Sequence, residues 1–377
     1  MPARQPAHPL PPLGPLAGVL TIDLGALVAN WAYLARTTQA DRVGAVVKAD
    51  AYGLGARVVV PALVRAGCRR FFVAHLAEAA EILDLIPDDG WVAVLNGLNP
   101  GAEEVCANLG VRPVLNSVGQ ARRWQAEAER RGVALPALLQ VDSGMSRLGV
   151  SAQEAQDLAV DSGFAAAVKL EAVMSHLACA DEPDAPANTE QLARFRSLAA
   201  LFPGVPRSFA NSPGCLLPPA FHGTIARPGL GLYGANPGST SPSPFIPVVC
   251  LQARVIQTRR VPAGAGVGYG LTWHADAETG LATLAVGYAD GWLRSLSGRG
   301  AAYWQGIRLP IVGRVSMDSI TVSLAALNGD WPQEGDLVDL IGPDCPIETV
   351  AAEAGTIPYE ILTSLGHRYE RVVIGSE

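Results

Sequence analysis

A lysine at the end of an apolar run is the most chemically suggestive feature of this 377-residue chain. Lys48 closes Ala45-Val46-Val47 and is followed by Ala49-Asp50-Ala51-Tyr52-Gly53-Leu54-Gly55. Small and β-branched apolar residues running into a glycine-punctuated turn predict a buried strand ending in the lysine, with the next helix beginning near Gly55. At the rim of an apolar core, desolvation favours the neutral amine over the ammonium. A neutral lysine amine is a nucleophile, and one cofactor use of it is a Schiff base with pyridoxal phosphate. The same stretch also fits a lysine whose stem packs on the strand end while its head reaches water.

Further polar residues recur at the same point of a repeating pattern. Val19 to Ile22 reads as a strand, and Asp23 can cap a helix carrying Leu24, Leu27, Val28, Trp31 and Leu34 on one face. Strands are then expected near 43–48, 70–74, 91–95, 112–115, 137–142, 168–175, 207–210 and 223–227. Helical apolar spacing fills intervening segments such as 76–85, 117–131, 152–162 and 189–202. Eight such alternations fit a (β/α)8 barrel, although a doubly wound open sheet satisfies the same periodicity. Lys48 follows the first strand, Arg147 the fifth, His176 the sixth, Asn211 and Ser212 the seventh, and Arg227 the eighth. In a barrel all of them converge on the C-terminal face, where active sites sit.

Near Pro237 the texture changes to a Pro-Gly-Ser linker. Beyond it come strand patterns at 248–258, 281–289, 301–304, 307–314, 318–323 and 336–341, with only 347–354 and 358–366 helical. The expected organisation is a flexible Pro-rich leader over 1–17, a barrel over 18–238 and a mostly-β domain over 239–377.

Composition excludes several classes. A net charge of -7 leaves no basic footprint for nucleic acid. No run of about 18 apolar residues exists to span a membrane. Prolines break the leader, so it does not read as a signal peptide. Six scattered cysteines without a Cys-x-x-Cys pair suggest reduced thiols in a cytoplasmic protein. His176, Cys179 and Asp181 lie close in sequence, but nothing else supports a metal and none is expected.

Five segments, taken together, resemble the alanine racemase family. Ala45-Val46-Val47-Lys48-Ala49-Asp50-Ala51-Tyr52-Gly53 is similar to its pyridoxal phosphate lysine motif. Residues 174–181, 226–234, 286–292 and 312–318 are similar to four further motifs in the right order. The resemblance runs from about Ile22 to Arg368. It implies a cytoplasmic, pyridoxal phosphate-dependent homodimer with a barrel and a C-terminal β domain, making D-alanine for peptidoglycan. Its active site would be shared between subunits.

Racemisation removes the α-proton on one face and returns it on the other, so two bases are needed. The resemblance implies Lys48 as the Schiff-base lysine and one base, and Tyr269 as the second, reaching the other subunit's cofactor. A free phenol titrates near 10 and needs a neighbour that stabilises its anion; Arg227 and His176 are expected to supply that through a hydrogen-bonded chain. Tyr269 lies between Gly268 and Gly270, where a packing tyrosine is the plainer reading. Arg227 would also face the pyridine nitrogen and keep it unprotonated, because arginine only donates; the plainer reading is a salt-bridged arginine on the barrel rim. Tyr52, Asn211, Ser212 and the backbone N–H groups of Gly229 and Leu230 would hold the phosphate. Arg147 would sit near the phenolic oxygen and the substrate carboxylate, with the Met317 N–H from the other subunit completing that pocket. Tyr288, Arg294, Arg314 and Asp181 would line the entrance.

Departures from the family pattern are few. Gln140 stands where many members carry a lysine that can be carbamylated, so no carbamate is expected. His367 falls where a phosphate-binding tyrosine is common; Tyr369, two residues on, is an alternative for that role. Ser316 replaces a common cysteine, with no effect expected. Competing activities are a serine or broad-specificity racemase, a decarboxylase of the same fold, and a non-catalytic pyridoxal phosphate-binding protein. The decarboxylase lacks its characteristic segments here, and the binding protein resembles a barrel alone.

Overall fold

The computed structural model describes residues 16–38, 40–238 and 242–375; most of the expected leader and part of the expected linker lie outside them. Seven short parallel strands follow one another in chain order: Ala45–Val46, Arg70–Val73, Trp91–Val94, Arg112–Leu115, Leu135–Gln140, Val168–Met174 and Arg207–Ser208. An eighth, Ile225–Ala226, pairs in parallel with Arg42–Val43, the start of the run that ends in Ala45–Val46. On that seam Gly44 N–H donates to the Ala226 carbonyl (3.0 Å) and Val46 N–H to that of Pro228 (2.9 Å). On the opposite seam Thr224 N–H donates to Arg207 (2.7 Å) and Arg227 N–H to Ala210 (2.9 Å). The ring closes, and the open-sheet alternative falls.

Strands such as Trp91–Val94 are buried along their whole length, since a barrel strand faces packed side chains inside and helices outside. The helices Ala56–Arg65, Leu76–Ile82, Val118–Arg131, Ala152–Val160 and Pro186–Ala199 form that outer layer. Proline-started 3₁₀ turns, Pro213–Leu216 and Pro219–Phe221, make the connection between the last two strands.

The other unit is mostly β. Its sheet runs in the order Ile307–Pro310, Ala301–Trp304, Leu337–Ile341, Val249–Val261, Gly18–Asp23, Glu370–Ile374. Val249–Val261 is long enough, at 13 residues, to pair also with Thr279–Leu284 beyond a register shift between Val255 and Gln257. The helices Ile347–Ala354 and Pro358–Ser364 fall where sequence predicts them.

The first boundary needs correction. One unit holds Asp23–Val248, and the other holds the described residues up to Ile22 with Val249–Val373. Gly18–Asp23 pairs antiparallel with Val249–Val261, Gly18 opposite Ala253 and Ile22 opposite Val249, so it belongs to the β unit and not to the barrel. Local alternation reveals the strand, whereas its partner lies some 230 positions away and leaves no local trace.

Candidate active site

At Lys48 the chain leaves the first strand and turns left-handed. Ala49, Asp50, Ala51 and Tyr52 have φ of 52°, 52°, 53° and 57°. Each costs about 1–2 kcal/mol relative to the right-handed form. Ordered partners hold the turn: Ala49 N–H donates to Glu78 Oε1 (2.7 Å), Ala56 N–H to Asp50 Oδ1 (2.6 Å) and Gly53 N–H to the Ala49 carbonyl (2.8 Å). The helix Ala56–Arg65 then starts after Gly55, where sequence predicts it. Lys48 is thereby fixed at the strand end, half-buried. Its pKa is lowered by burial first, then by the charge of Arg147, with Arg227 adding and Glu78 opposing.

Arg227 is 2% exposed, and no described carboxylate forms an ion pair with it. Its Nε donates to Ser208 Oγ (2.9 Å) and its Nη2 to the Ser175 carbonyl (2.6 Å). Burial pulls its pKa down to about 10, which leaves it charged near neutrality. Arg227 is therefore not a salt-bridged rim residue among the described residues, and these two bonds go to Ser208 and Ser175. His176 is held neutral: burial first, then Arg227, Arg147 and Lys48, lower its pKa to about 3. Gln191 fixes the adjoining loop, its Nε2 donating to the His176 carbonyl (3.0 Å) and its Oε1 accepting from Ala178 N–H (2.9 Å).

The anion-binding wall follows the last two strands. Ser212 Oγ accepts from Gly229 N–H (2.7 Å) and Gly231 N–H (3.2 Å), so the Gly229 N–H expected to face a phosphate is engaged by Ser212. Asn211 Oδ1 caps the next turn, accepting from Gly214 N–H (3.0 Å). Leu230 opens the 3₁₀ turn Leu230–Tyr233. The Tyr52 ring lies 4.5 Å from that of Tyr233, whose hydroxyl donates to the Val46 carbonyl (2.9 Å). A Cβ at Gly229 would lie 2.3 Å from Tyr52 Oη, so only glycine leaves the phenol its place.

Arg147 is exposed on a loop organised by Asp142, whose Oδ1 accepts from the N–H groups of Gly144 (2.8 Å), Met145 (3.1 Å) and Ser146 (3.1 Å). Gln140, at the end of the strand before it, is 7% exposed. Asp181 is exposed.

In the β unit, Tyr269 is 73% exposed, Met317 52% and Tyr288 43%. Tyr269 rides between Gly268 and Gly270, at φ of 70° and 74°, and Arg314 backs that turn, its Nη1 3.2 Å from where a Gly270 Cβ would stand. Arg294 and Arg314 are exposed. His367 is exposed too, whereas Tyr369 is buried with its ring against Gly18 and its hydroxyl without a partner among the described residues.

Two contributors escaped sequence reasoning. Glu78 pins the left-handed turn, and its Oε2 also accepts from Ala74 and His75 N–H (2.7 and 3.0 Å); a capping glutamate gives no sign of that reach. Arg368 donates from Nε and Nη2 to the buried Asp290 carboxylate (2.6 and 2.8 Å) and from Nη1 to Asp318 (2.7 Å). It locks the Tyr288 and Met317 loops together.

Among the described residues no group of three His, Cys, Asp or Glu is placed to hold a metal, and no helix is long and apolar enough to cross a membrane. Every polar group named for the barrel lies at the C-terminal end of a strand. A lysine amine of lowered pKa, a buried guanidinium with no carboxylate partner among the described residues, and the hydroxyl and backbone groups after the last two strands are donors of the kind that pyridoxal phosphate needs.

Comparison with known proteins agrees. Residues 22–237 match the family model described as "Alanine racemase, N-terminal domain", and residues 248–373 match "Alanine racemase, C-terminal domain". The chain is 51% identical over 361 residues to a catabolic alanine racemase of Agrobacterium fabrum, covering 96% of this chain and 93% of that one. It is 48% identical to the alanine racemase of Brucella canis, covering 95% and 93%. Alanine racemase of Bartonella henselae, solved with covalently bound pyridoxal phosphate, superposes with a TM-score of 0.93 at 43% identity, covering 96% of this chain and all of that one. The biosynthetic alanine racemase of Pseudomonas aeruginosa gives 0.86 at 34%, covering 95% and 99%. The chain belongs to the alanine racemase family.

Proposed function

We propose that the protein interconverts L- and D-alanine by two-base proton transfer, as a pyridoxal phosphate-dependent isomerase. The carrying observation is the Lys48 amine, whose pKa is lowered by burial and then by the charge of Arg147, together with a buried Arg227 that no carboxylate among the described residues pairs with. Bound pyridoxal phosphate supplies an electron sink for the pair left on Cα when its proton departs. Lys48 holds it covalently and, once released by the substrate amine, moves the proton on one face. Arg227, a donor only, would hold the ring nitrogen of the bound cofactor without giving it a proton, which would temper the cofactor as an electron sink and disfavour side reactions. Tyr52, Asn211, Ser212, Gly229 and Leu230 form the phosphate wall, and Arg147 with the Met317 N–H clamps the carboxylate.

Tyr269 is the second base, contributed by a second copy of the chain. Its exposure on a rigid glycine turn supports that reading, since a base for its own unit's core would be inside it. Cytoplasmic D-alanine supply for peptidoglycan is the proposed use. The names of the Agrobacterium and Mesorhizobium relatives favour a second reading, a catabolic role. An enantiomer equilibrium is unbiased, so supply sets direction; growth of a deletion strain without D-alanine separates the two uses.

Incubation with L-alanine or L-serine in heavy water, followed by chiral chromatography with mass detection, tests the activity. Deuterated D-alanine should form much faster than D-serine. Comparable rates would make it a broad-specificity racemase, and no α-deuterium would leave a binding protein.

A further inference from the structure

The opposite, N-terminal mouth of the barrel holds a second concentration of charge. A cavity of about 350 Å³ opens there, where Arg42, Arg70, Trp91 and Ile225 begin their strands and Lys169 and Pro206 stand beside theirs. Arg42 and Lys48 mark the two ends of one strand run, about 20 Å apart at strand rise, so this cavity is separate from the candidate active site.

Three cations face it: Arg42, Arg70 and Lys169. Two carboxylates share the wall, Asp89 hydrogen-bonded by Arg69 (2.9 Å) and Glu171 in a looser ion pair with Arg112 (3.6 Å), so the three cations exceed them by one. The Arg70 Nε is buried and finds no acceptor among the described residues. Leaving such a donor unmet is costly, and more so when it is charged. Burial, and then the charge of Arg42, lower the Arg70 pKa, with Cys68, Glu171 and Asp89 opposing. Trp91 lies beneath Arg70, its ring centroid 6.0 Å from the guanidinium carbon. With Ile225 and Pro206 it gives the cavity an apolar side.

We infer that this mouth binds a small organic oxyanion, a phosphate monoester or a di- or tricarboxylate, with its charged end on Arg42, Arg70 and Lys169 and its carbon skeleton against Trp91 and Ile225. The volume suits a small metabolite and not a macromolecular segment. Guanidinium pairs favour planar or tetrahedral oxyanions through forked donation.

The test is calorimetric titration of the cofactor-loaded protein with phenyl phosphate, inorganic phosphate and citrate at constant ionic strength. Saturable binding is expected for at least one of them, weakening with added salt. Phosphate esters binding alone would identify the ester class, and citrate binding alone the carboxylate class. Arg42→Gln with Arg70→Gln should weaken it at least tenfold while leaving alanine racemisation within twofold, and Lys169→Gln, at an exposed position, should weaken it less. No saturable binding would overturn the inference. So would binding unchanged in the double variant, or binding displaced by alanine, which would place the anion in the active site. If the double variant fails to fold, the Lys169→Gln and Arg42→Gln single variants carry the same comparison.

Discussion

The barrel rim and the exposed turn of the β unit carry comparable chemistry by opposite means. Around Lys48 the polar groups work because they are buried: Arg227 is nearly inaccessible, His176 is held neutral, and Lys48 loses basicity to desolvation. Tyr269 itself is not buried. The side chain stands 73% exposed on a glycine turn, with Arg314 behind it and, on the neighbouring loops, Asp290, Arg368 and Asp318 in an ion-paired lock. One region supplies its own dielectric, and the other supplies only geometry. Under the proposed function, the second acquires its environment by covering a second copy's barrel.

Breaking the buried side should have the largest effect. Lys48→Ala should lower racemisation by at least about 10⁴-fold and abolish the cofactor–lysine absorbance while the far-ultraviolet dichroism stays unchanged; normal activity would remove Lys48 from the site. Tyr269→Phe should keep that absorbance and cost about 10²–10⁴-fold, falling hardest on solvent exchange of the L-isomer's α-proton. Equal loss of exchange from both enantiomers would contradict the two-face assignment.

Gly229→Ala sharpens the comparison from the cofactor side. The new methyl must displace Tyr52 Oη from 2.3 Å, and overpacking of this kind costs about 1–3 kcal/mol. Cofactor affinity measured by dialysis should fall about tenfold or more, matching about 1.4 kcal/mol per decade; unchanged affinity would free Tyr52 from the phosphate wall.

A smaller effect concerns acid stability. The unfolded chain protonates a histidine near 6.5, and folded His176 only at about 3, so between those values the unfolded state binds the extra proton. Stability must therefore fall as pH drops from about 6.5 toward 3. In cofactor-free protein, His176→Leu should flatten that part of the denaturation-midpoint profile, and an unchanged slope would mean that the imidazole is not desolvated.

Much of this was legible in the sequence because it is local. Eight apolar runs, the polar residues after five of them, and the turn at Gly55 are all short-range signals, and the structure places the strands where the runs lie. What escaped is non-local or contrary to propensity. Ala49-Asp50-Ala51-Tyr52 would read as ordinary right-handed turn or helix, yet it turns left-handed because Glu78, 29 residues on, holds it. Gly18–Asp23 looks like any alternating strand, and only its pairing assigns it to the β unit. Spacing marks Tyr369 as an alternative to His367, but it gives no sign that the Tyr369 ring lies buried against Gly18.

Subunit mixing tests the central claim most directly. Lys48→Ala and Tyr269→Phe proteins, each inactive alone, would be co-refolded or exchanged and assayed together. If each site takes its lysine from one copy and its tyrosine from another, half of the randomly paired dimers carry one intact site, and about a quarter of wild-type activity should return. No recovery, with exchange verified by mass spectrometry, would place both bases in one chain and contradict the account.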